Sequence, residues 1–299
     1  MKLSPIVLFV YNRPEHTQET IEALKRNELA AFSDLYIISD GAKSNADEKA
    51  VESVRKLIGN ISGFNKIELI KRENNFGLAK NTIIGVSQVL DYSDRVIVLE
   101  DDDFSSPQFL NYMNFMLSYY KNEDKIFSIS GFSLPNNLLS IPKDYLFDIF
   151  FSSRASSWGW ATWRSKWEQV DWNISDYANF IRDKQMKRRF ELGGSDLTQM
   201  LINWKKGLNN SWSIRWCYAH FKNNAYCVHP VKSYIQNIGH DGSGTHCGAS
   251  NKFNQTDLNT IKIPMMPRTI DIDTQISKNF KKFYDGGLKS KITRFIKNL

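Results

Sequence analysis

Unbroken apolar runs and helix-spaced amphipathic segments take turns along the first 130 residues. PIVLFVY (Pro5 to Tyr11) is apolar throughout, as befits a strand covered on both faces in a parallel sheet. RPEHTQETIEALKRN follows with helical spacing at Thr20, Ile21 and Leu24, and Pro14 suits a helix start. DLYIISD (Asp34 to Asp40) reads as a second strand, NADEKAVESVRKLIGN as a second helix, and KIELIKR (Lys66 to Arg72) as a third strand. GLAKNTIIGVSQVLDYS reads as a third helix and DRVIVLED as a fourth strand. This order predicts an α/β fold with a mostly parallel central sheet flanked by helices. Ligands of such sheets bind beyond the carboxyl ends of the strands. The polar residues expected there are Tyr11, Asn12 and Arg13, then Asp40 and Gly41, then Asn74 to Gly77, then the acids Glu100 to Asp103.

After residue 130 the pattern changes. Asp144 to Trp172 holds five Trp and four Phe or Tyr. Residues 173–225 read as helices, AYCVHPVKSYIQNIG (Ala225 to Gly239) as one or two late strands, and HDGSGTHCGASNKFNQTD as a polar loop. No internal repeat or long linker interrupts the chain. One domain is expected over residues 1–275, with a nucleotide-binding half (1–130) and an acceptor-binding half (131–275), followed by a basic amphipathic tail (276–299).

Composition narrows the class. No apolar run reaches the roughly 18 residues of a membrane span, and the N-terminal apolar run lacks the form of a signal peptide. Three cysteines without a C-x-x-C pair leave neither a disulfide framework nor a zinc site in view. A cytoplasmic protein is expected. The formal net charge is +7, and Ser277 to Leu299 carries seven Lys or Arg against one Asp, with Phe and Ile interleaved. Such a segment either lies on an anionic membrane surface or packs as a terminal helix on its own protein. Nothing accompanies the charge that marks a nucleic-acid module.

VIVLEDDDFSSPQFL runs against the overall charge by placing Glu100, Asp101, Asp102 and Asp103 in a row after an apolar strand. Neighbouring carboxylates about 5 Å apart repel by about 3 kcal/mol at an effective dielectric near 20. The end of a buried strand cannot spread them apart, so a cation or a proton is expected among them. The structural alternative is an acid-rich helix N-cap.

Four segments, VLFVYNRPEHTQETIEAL, ISDGAK, ENNFGLAKN and VIVLEDDDFSSPQFLNYM, together resemble nucleotide-sugar glycosyltransferases of the GT-A fold, in the bacterial family 2 group. The last is also similar to the acidic segment of the N-acetylglucosaminyltransferase I family, with Asp103 where that family has Leu. SSWGWATWRSKW and NIGHDGSGTH look like segments of bacterial surface-polysaccharide transferases. The resemblance implies a metal-dependent, inverting transfer of sugar from a nucleotide diphosphate, UDP being favoured. The acceptor would be a glycan or lipid-linked oligosaccharide of capsule or lipopolysaccharide synthesis, at the inner face of the membrane.

By that resemblance Asp102 is the direct ligand of Mn²⁺ or Mg²⁺, hard cations suited to carboxylate and phosphate oxygens. Asp103 assists, and a late histidine, His246 or His240, is a further candidate ligand. Glu100 and Asp101 would contact metal-bound water, ribose or sugar. Asp40 would meet the base or ribose, with a turn-forming Asp-Gly as its structural alternative. Tyr11 and Arg13 would pack beside the base, Gly77 and Leu78 would let the chain pass close to it, and Lys80 is a phosphate candidate. Asp196, in GGSDLTQMLINW, is the expected general base, with Asp171 and Asp176 as rivals and an N-cap as the alternative. Trp158, Gly159 and Trp160 would wall the sugar site, whereas Trp163 and Trp167 read as core. Two other readings stay open: a sugar nucleotidyltransferase, disfavoured because YNRPEHTQ lacks glycine, and a non-catalytic carbohydrate-binding protein.

Overall fold

The computed structural model describes residues 3–243 and 249–285. The first part alternates as expected: β1 (Ile6–Val10), α1 (Pro14–Lys25), β2 (Asp34–Ser39), α2 (Asn45–Ile58), β3 (Lys66–Lys71), α3 (Leu78–Leu90) and β4 (Arg95–Glu100). Then come β5 (Asp103–Ser105), α4 (Phe109–Tyr119), β6 (Ile126–Ser130), β7 (Ile149–Ser152), β8 (Trp160–Trp163) and the short α5 (Arg164–Trp167). A helical group follows, α6 (Tyr177–Arg182), α7 (Lys184–Phe190), α8 (Leu197–Lys205) and α9 (Trp212–Lys222). The described chain ends with β9 (Tyr226–Pro230), β10 (Ile235–Asn237) and α10 (Thr274–Tyr284).

Eight strands form one sheet in the order β3-β2-β1-β4-β8-β6-β9-β7. β3, β2, β1 and β4 are parallel; β8 is antiparallel to both β4 and β6; β9 runs parallel to β6 and β7 antiparallel to β9. The sheet is therefore mostly parallel, with β7 and β8 reversed. Alternation sorts the apolar runs onto two covered faces. Ile6, Leu8 and Val10 of β1 pack with Ile21, Leu24, Val54, Met113 and Leu117 of α1, α2 and α4. Val7 and Phe9 pack with Val86, Val89, Trp212 and Trp216 of α3 and α9. A third apolar cluster holds α6 to α9 together through Phe180, Phe190, Leu197, Leu201 and Tyr218.

The aromatic stretch does not behave as the sequence pattern indicated. Trp160 to Trp163 form β8, a fully buried strand wedged between β4 and β6. Both its faces are covered, so it shows none of the alternation that reveals a half-exposed strand. The start of the expected basic tail is also a docked helix: α10 buries Ile276 and Phe280, with Phe280 against Phe150 and His229. Among the described residues, no helix is long and apolar enough to cross a membrane.

Candidate active site

β1 lies between β2 and β4, with Val10 level with Ser39 and Phe9 level with Glu100. The chain after β1, after β2 and after β4 thus leaves the sheet at one edge, where strand order reverses. Tyr11 to Arg13, Asp40 and the four acids gather at this switch point. The short antiparallel pair β5–β10 crosses it, with Asp103 opposite Asn237. That pairing brings the late NIGHD segment onto the acid turn.

Arg13, the residue before α1, bridges two of the acids. Its Nη2 donates to Asp102 Oδ2 at 2.8 Å and also to Asp101 Oδ1. Asp102 Oδ1 accepts from Asn237 Nδ2 at 2.9 Å, and the Asp102 carbonyl accepts from Ile238 N. A Cβ at Gly239 would overlap the Asp102 carboxylate, so glycine is required for this close approach. Asp103 is fully buried, and its Oδ2 accepts from the backbone N–H groups of Glu100 (3.0 Å) and Gly159 (2.9 Å). It brackets the acid turn to the aromatic segment through this oxygen, while its Oδ1 is buried without a hydrogen-bond partner among the described residues.

The charges are unbalanced: four carboxyl groups face one guanidinium. Burial, with repulsion from Asp102, Asp103 and Asp101, pushes Glu100 well above the usual carboxylate range. Burial pushes Asp101 up to about 6, against the pull of Arg13. Arg13 is raised in turn, because Asp101 and Asp102 outweigh its own desolvation. Among the described residues, no three His, Cys, Asp or Glu side chains are grouped to hold a metal by themselves. The donor chemistry nevertheless fits a hard divalent ion that takes most of its ligands from phosphate and water. The Glu100 carboxylate has no hydrogen-bond partner among the described residues, and Asp102 beside it is mostly buried but keeps 12% side-chain exposure, against 6% for Asp101.

Around this centre the other expected residues divide. Tyr11 Oη accepts from Lys43 N at 3.0 Å, so it fastens the loop after β2. The Asp40 carboxylate accepts from Gly41, Phe76 and Gly77 N–H groups and from Asn75 Nδ2. It staples the loop after β2 to the loop after β3. Gly77 has φ +70° with open space where a Cβ would point, and Leu78 beside it is exposed. Lys80 Nζ sits over the Phe76 ring. Gly159 has φ +53°, and a Cβ there would strike Ile235. Trp158 is half-buried, edge-on to Phe132, His240 and Phe253. Trp160 is a correction: it is fully buried and packs with Trp167, Trp212 and Trp216 on the far face of the sheet. Its side chain therefore cannot line a sugar site. His246 lies outside the described residues.

Asp196 precedes α8 but does not cap it. Its carboxylate forms a bidentate pair with Arg154, Nη1 to Oδ1 at 2.8 Å and Nη2 to Oδ2 at 3.0 Å. Arg154 also lies 3.7 Å from the centre of the Tyr284 ring of α10. Its guanidinium is raised above its ordinary range: Tyr284 and Asp196 outweigh its desolvation. Arg154, Trp158, Leu197, Phe253 and Tyr284 help line a mainly apolar, aromatic-bearing cleft of about 200 Å³. The rivals are structural: Asp171 turns the chain at Ser175, and Asp176 holds Tyr218 and Lys222. A second, polar groove of about 430 Å³ opens beside Asn237 and His240.

Arg154, Asn237 and Gly239 escaped the sequence reading. Arg154 meets Asp196 across 42 residues and Asn237 meets Asp102 across 135, separations over which no local spacing can signal a contact. Gly239 had a signal, since it lies in the NIGHDGSGTH segment, but its target did not.

A comparison with curated proteins gives no match. Among solved structures, the Pyrobaculum calidifontis mannosyltransferase PcManGT, in complex with GDP-Man and Mn²⁺, is 12% identical with a TM-score of 0.38. That match covers 55% of this chain and 45% of that one. S. aureus TarS is 16% identical with a TM-score of 0.30, over 47% of this chain and 24% of its own. A cytidylyltransferase from Leptospira borgpetersenii serovar Hardjo-bovis is 15% identical with a TM-score of 0.35, over 58% and 65%. The chain thus spans less than two thirds of each of these proteins. The model of glycosyl transferase family 2 matches residues 6–158, which is half the chain and takes in β1 to β4, the acid turn and Trp158. With its mostly parallel α/β sheet and the acids at the switch point, the chain belongs to glycosyl transferase family 2.

Proposed function

We propose that this family 2 chain is a metal-dependent, inverting glycosyltransferase that moves a sugar from a UDP-sugar to a glycan acceptor of surface-polysaccharide synthesis. The carrying observation is the acid turn, where Glu100 to Asp103 are concentrated at the carboxyl end of β4 against the single bridging cation Arg13. Asp102 and Glu100 would hold Mn²⁺ or Mg²⁺ together with the donor diphosphate. The ion, when bound, neutralises charge growing on the leaving phosphate.

The chain's own residues supply the rest. Arg13 and Asn237 fix the two oxygens of Asp102, so the ligand is placed before the donor arrives. Tyr11, Gly77 and Leu78 border the nucleotide, with Asp40 fixing their loops. Trp158 offers an aromatic face to the C–H side of a sugar ring, and Gly159 allows the backbone to pass close by. Asp196, held in one rotamer by Arg154, takes the proton of the attacking acceptor hydroxyl. The basic stretch after α10 suits contact with an anionic membrane face carrying a lipid-linked acceptor.

Calorimetric titration with UDP, GDP and dTDP, with and without Mn²⁺, tests this on wild type and Asp102→Ala. Metal-dependent binding of UDP in preference to the others, lost in the variant, is the expected result. Binding indifferent to both metal and Asp102 would reduce the acid turn to a structural cap.

A further inference from the structure

The polar groove of about 430 Å³ beside the acid turn has a composition that the transfer chemistry at Asp102 does not use. Its volume is in the range of small-molecule sites. Its walls carry amides, namely Gln236, Asn237, Asn251, Asn254 and Gln255, together with His240. Among the described residues neither lysine nor arginine lines it, and the one charged side chain on its described wall, Asp241, sits 3.2 Å from His16 Nε2.

Several of these amides have one end committed and the other free. Gln255 Nε2 donates to the Ser133 carbonyl at 2.8 Å, which leaves its Oε1 without a partner among the described residues. Asn254 Nδ2 donates to Asn251 Oδ1 at 3.4 Å, which likewise leaves Asn251 Nδ2 as a donor and Asn254 Oδ1 as an acceptor. His240 Nε2 is buried and has no partner among the described residues. Asn237 belongs to both sites: its Nδ2 holds Asp102 while the residue lines the groove.

From this we infer that the groove is a subsite for an uncharged, hydroxyl-rich saccharide, the acceptor of the transfer; the inference rests on the transferase reading above. Each sugar hydroxyl both donates and accepts a hydrogen bond. Amide ends that offer a donor beside two acceptors match that dual character. Charge sets the limit. With Asp241 on the wall and no lysine or arginine among the described lining residues, a uronic acid or phosphorylated glycan finds no lining cation to pair with. The ring of Trp158 contacts His240 at 5.4 Å and lines the neighbouring aromatic cleft. The amide groove and the aromatic cleft thus meet at one partition, beside the segment that carries Asp102.

The test is saturation-transfer NMR on the full chain with UDP and the diamagnetic ion Mg²⁺ present. The probes are maltotriose, cellotriose and N,N'-diacetylchitobiose as neutral saccharides, and trigalacturonate as the anionic one. At least one neutral saccharide is expected to bind at millimolar concentration, and trigalacturonate is not. Asn251→Ala combined with Asn254→Ala is expected to weaken that binding about tenfold or more. Asn251→Asp, which replaces the free donor at equal volume, is expected to do the same without disturbing the fold. UDP affinity should stay unchanged in these variants, so loss of the groove is distinguishable from failure of the transferase reading, in which wild type itself would not bind UDP. Binding of trigalacturonate as strong as that of the neutral saccharides would overturn the inference. So would failure of every neutral saccharide to bind, or saccharide binding that ignores both variants.

Discussion

Arg154→Met keeps the length of the side chain and deletes its guanidinium. Asp196 then loses both bonds, at 2.8 and 3.0 Å, and Tyr284 loses the cation 3.7 Å from its ring centre. Breaking a buried ion pair by removing one partner costs about 3–5 kcal/mol. The Asp196 side chain keeps 21% exposure, so water recovers part of that, and about 2–3 kcal/mol is the better figure here. The lost cation–π contact adds about 1 kcal/mol. A domain of this order of size loses about 2–4 °C in Tm per kcal/mol, so a fall of about 10 °C is expected. The assay is urea denaturation and thermal melting of wild type, Arg154→Met, Asp196→Asn and the double variant. The cycle should return a coupling of about 2 kcal/mol. Additivity within about 0.5 kcal/mol would mean that the pair is not formed in solution, and the placement of Asp196 as a base would lose its support.

Two further outcomes follow from the same contacts. Gly239→Ala sets a methyl group against the Asp102 carboxylate, which Arg13 and Asn237 hold from either side. Metal-dependent UDP binding should fall about tenfold or more while the melting temperature drops only by what about 1–3 kcal/mol of overpacking implies; unchanged UDP affinity would count against Asp102 as the ligand. Burial lowers His220 and His229 from 6.5 to about 4. The unfolded chain therefore takes up protons that the folded chain refuses, and the stability present above pH 6.5 is lost as pH falls toward 4, by about 3 kcal/mol per histidine. In His229→Gln that fall, followed by urea denaturation across this window, should shrink by about this amount, and an unchanged profile would show that His229 is not buried neutral.

What the sequence alone determined is the local part. An apolar run such as PIVLFVY reads as a strand covered on both faces, and a row of four acids after such a run in a basic chain calls for a cation, a proton or backbone N–H groups among them. Periodicity and charge are properties of neighbours along the chain, so β1 to β4, their helices and the acid turn were legible, and the family could be recognised on the same segments. The tertiary structure decided where each of several chemically equal residues lies relative to the switch point. Trp158 and Trp160 stand two apart in one aromatic stretch, but strand geometry and the positive φ of Gly159 send Trp160 into the far core and leave Trp158 beside the cleft. Asp102 and Asp103 are adjacent carboxylates, yet Asp103 turns its oxygen to two backbone N–H groups and Asp102 keeps 12% side-chain exposure. Asp196 met an arginine no spacing could announce, and Asn237 reached Asp102 from the far end of the fold. Contacts of that kind depend on how strands order themselves in the sheet, and that order is fixed by the packing of the whole core rather than by any segment within it.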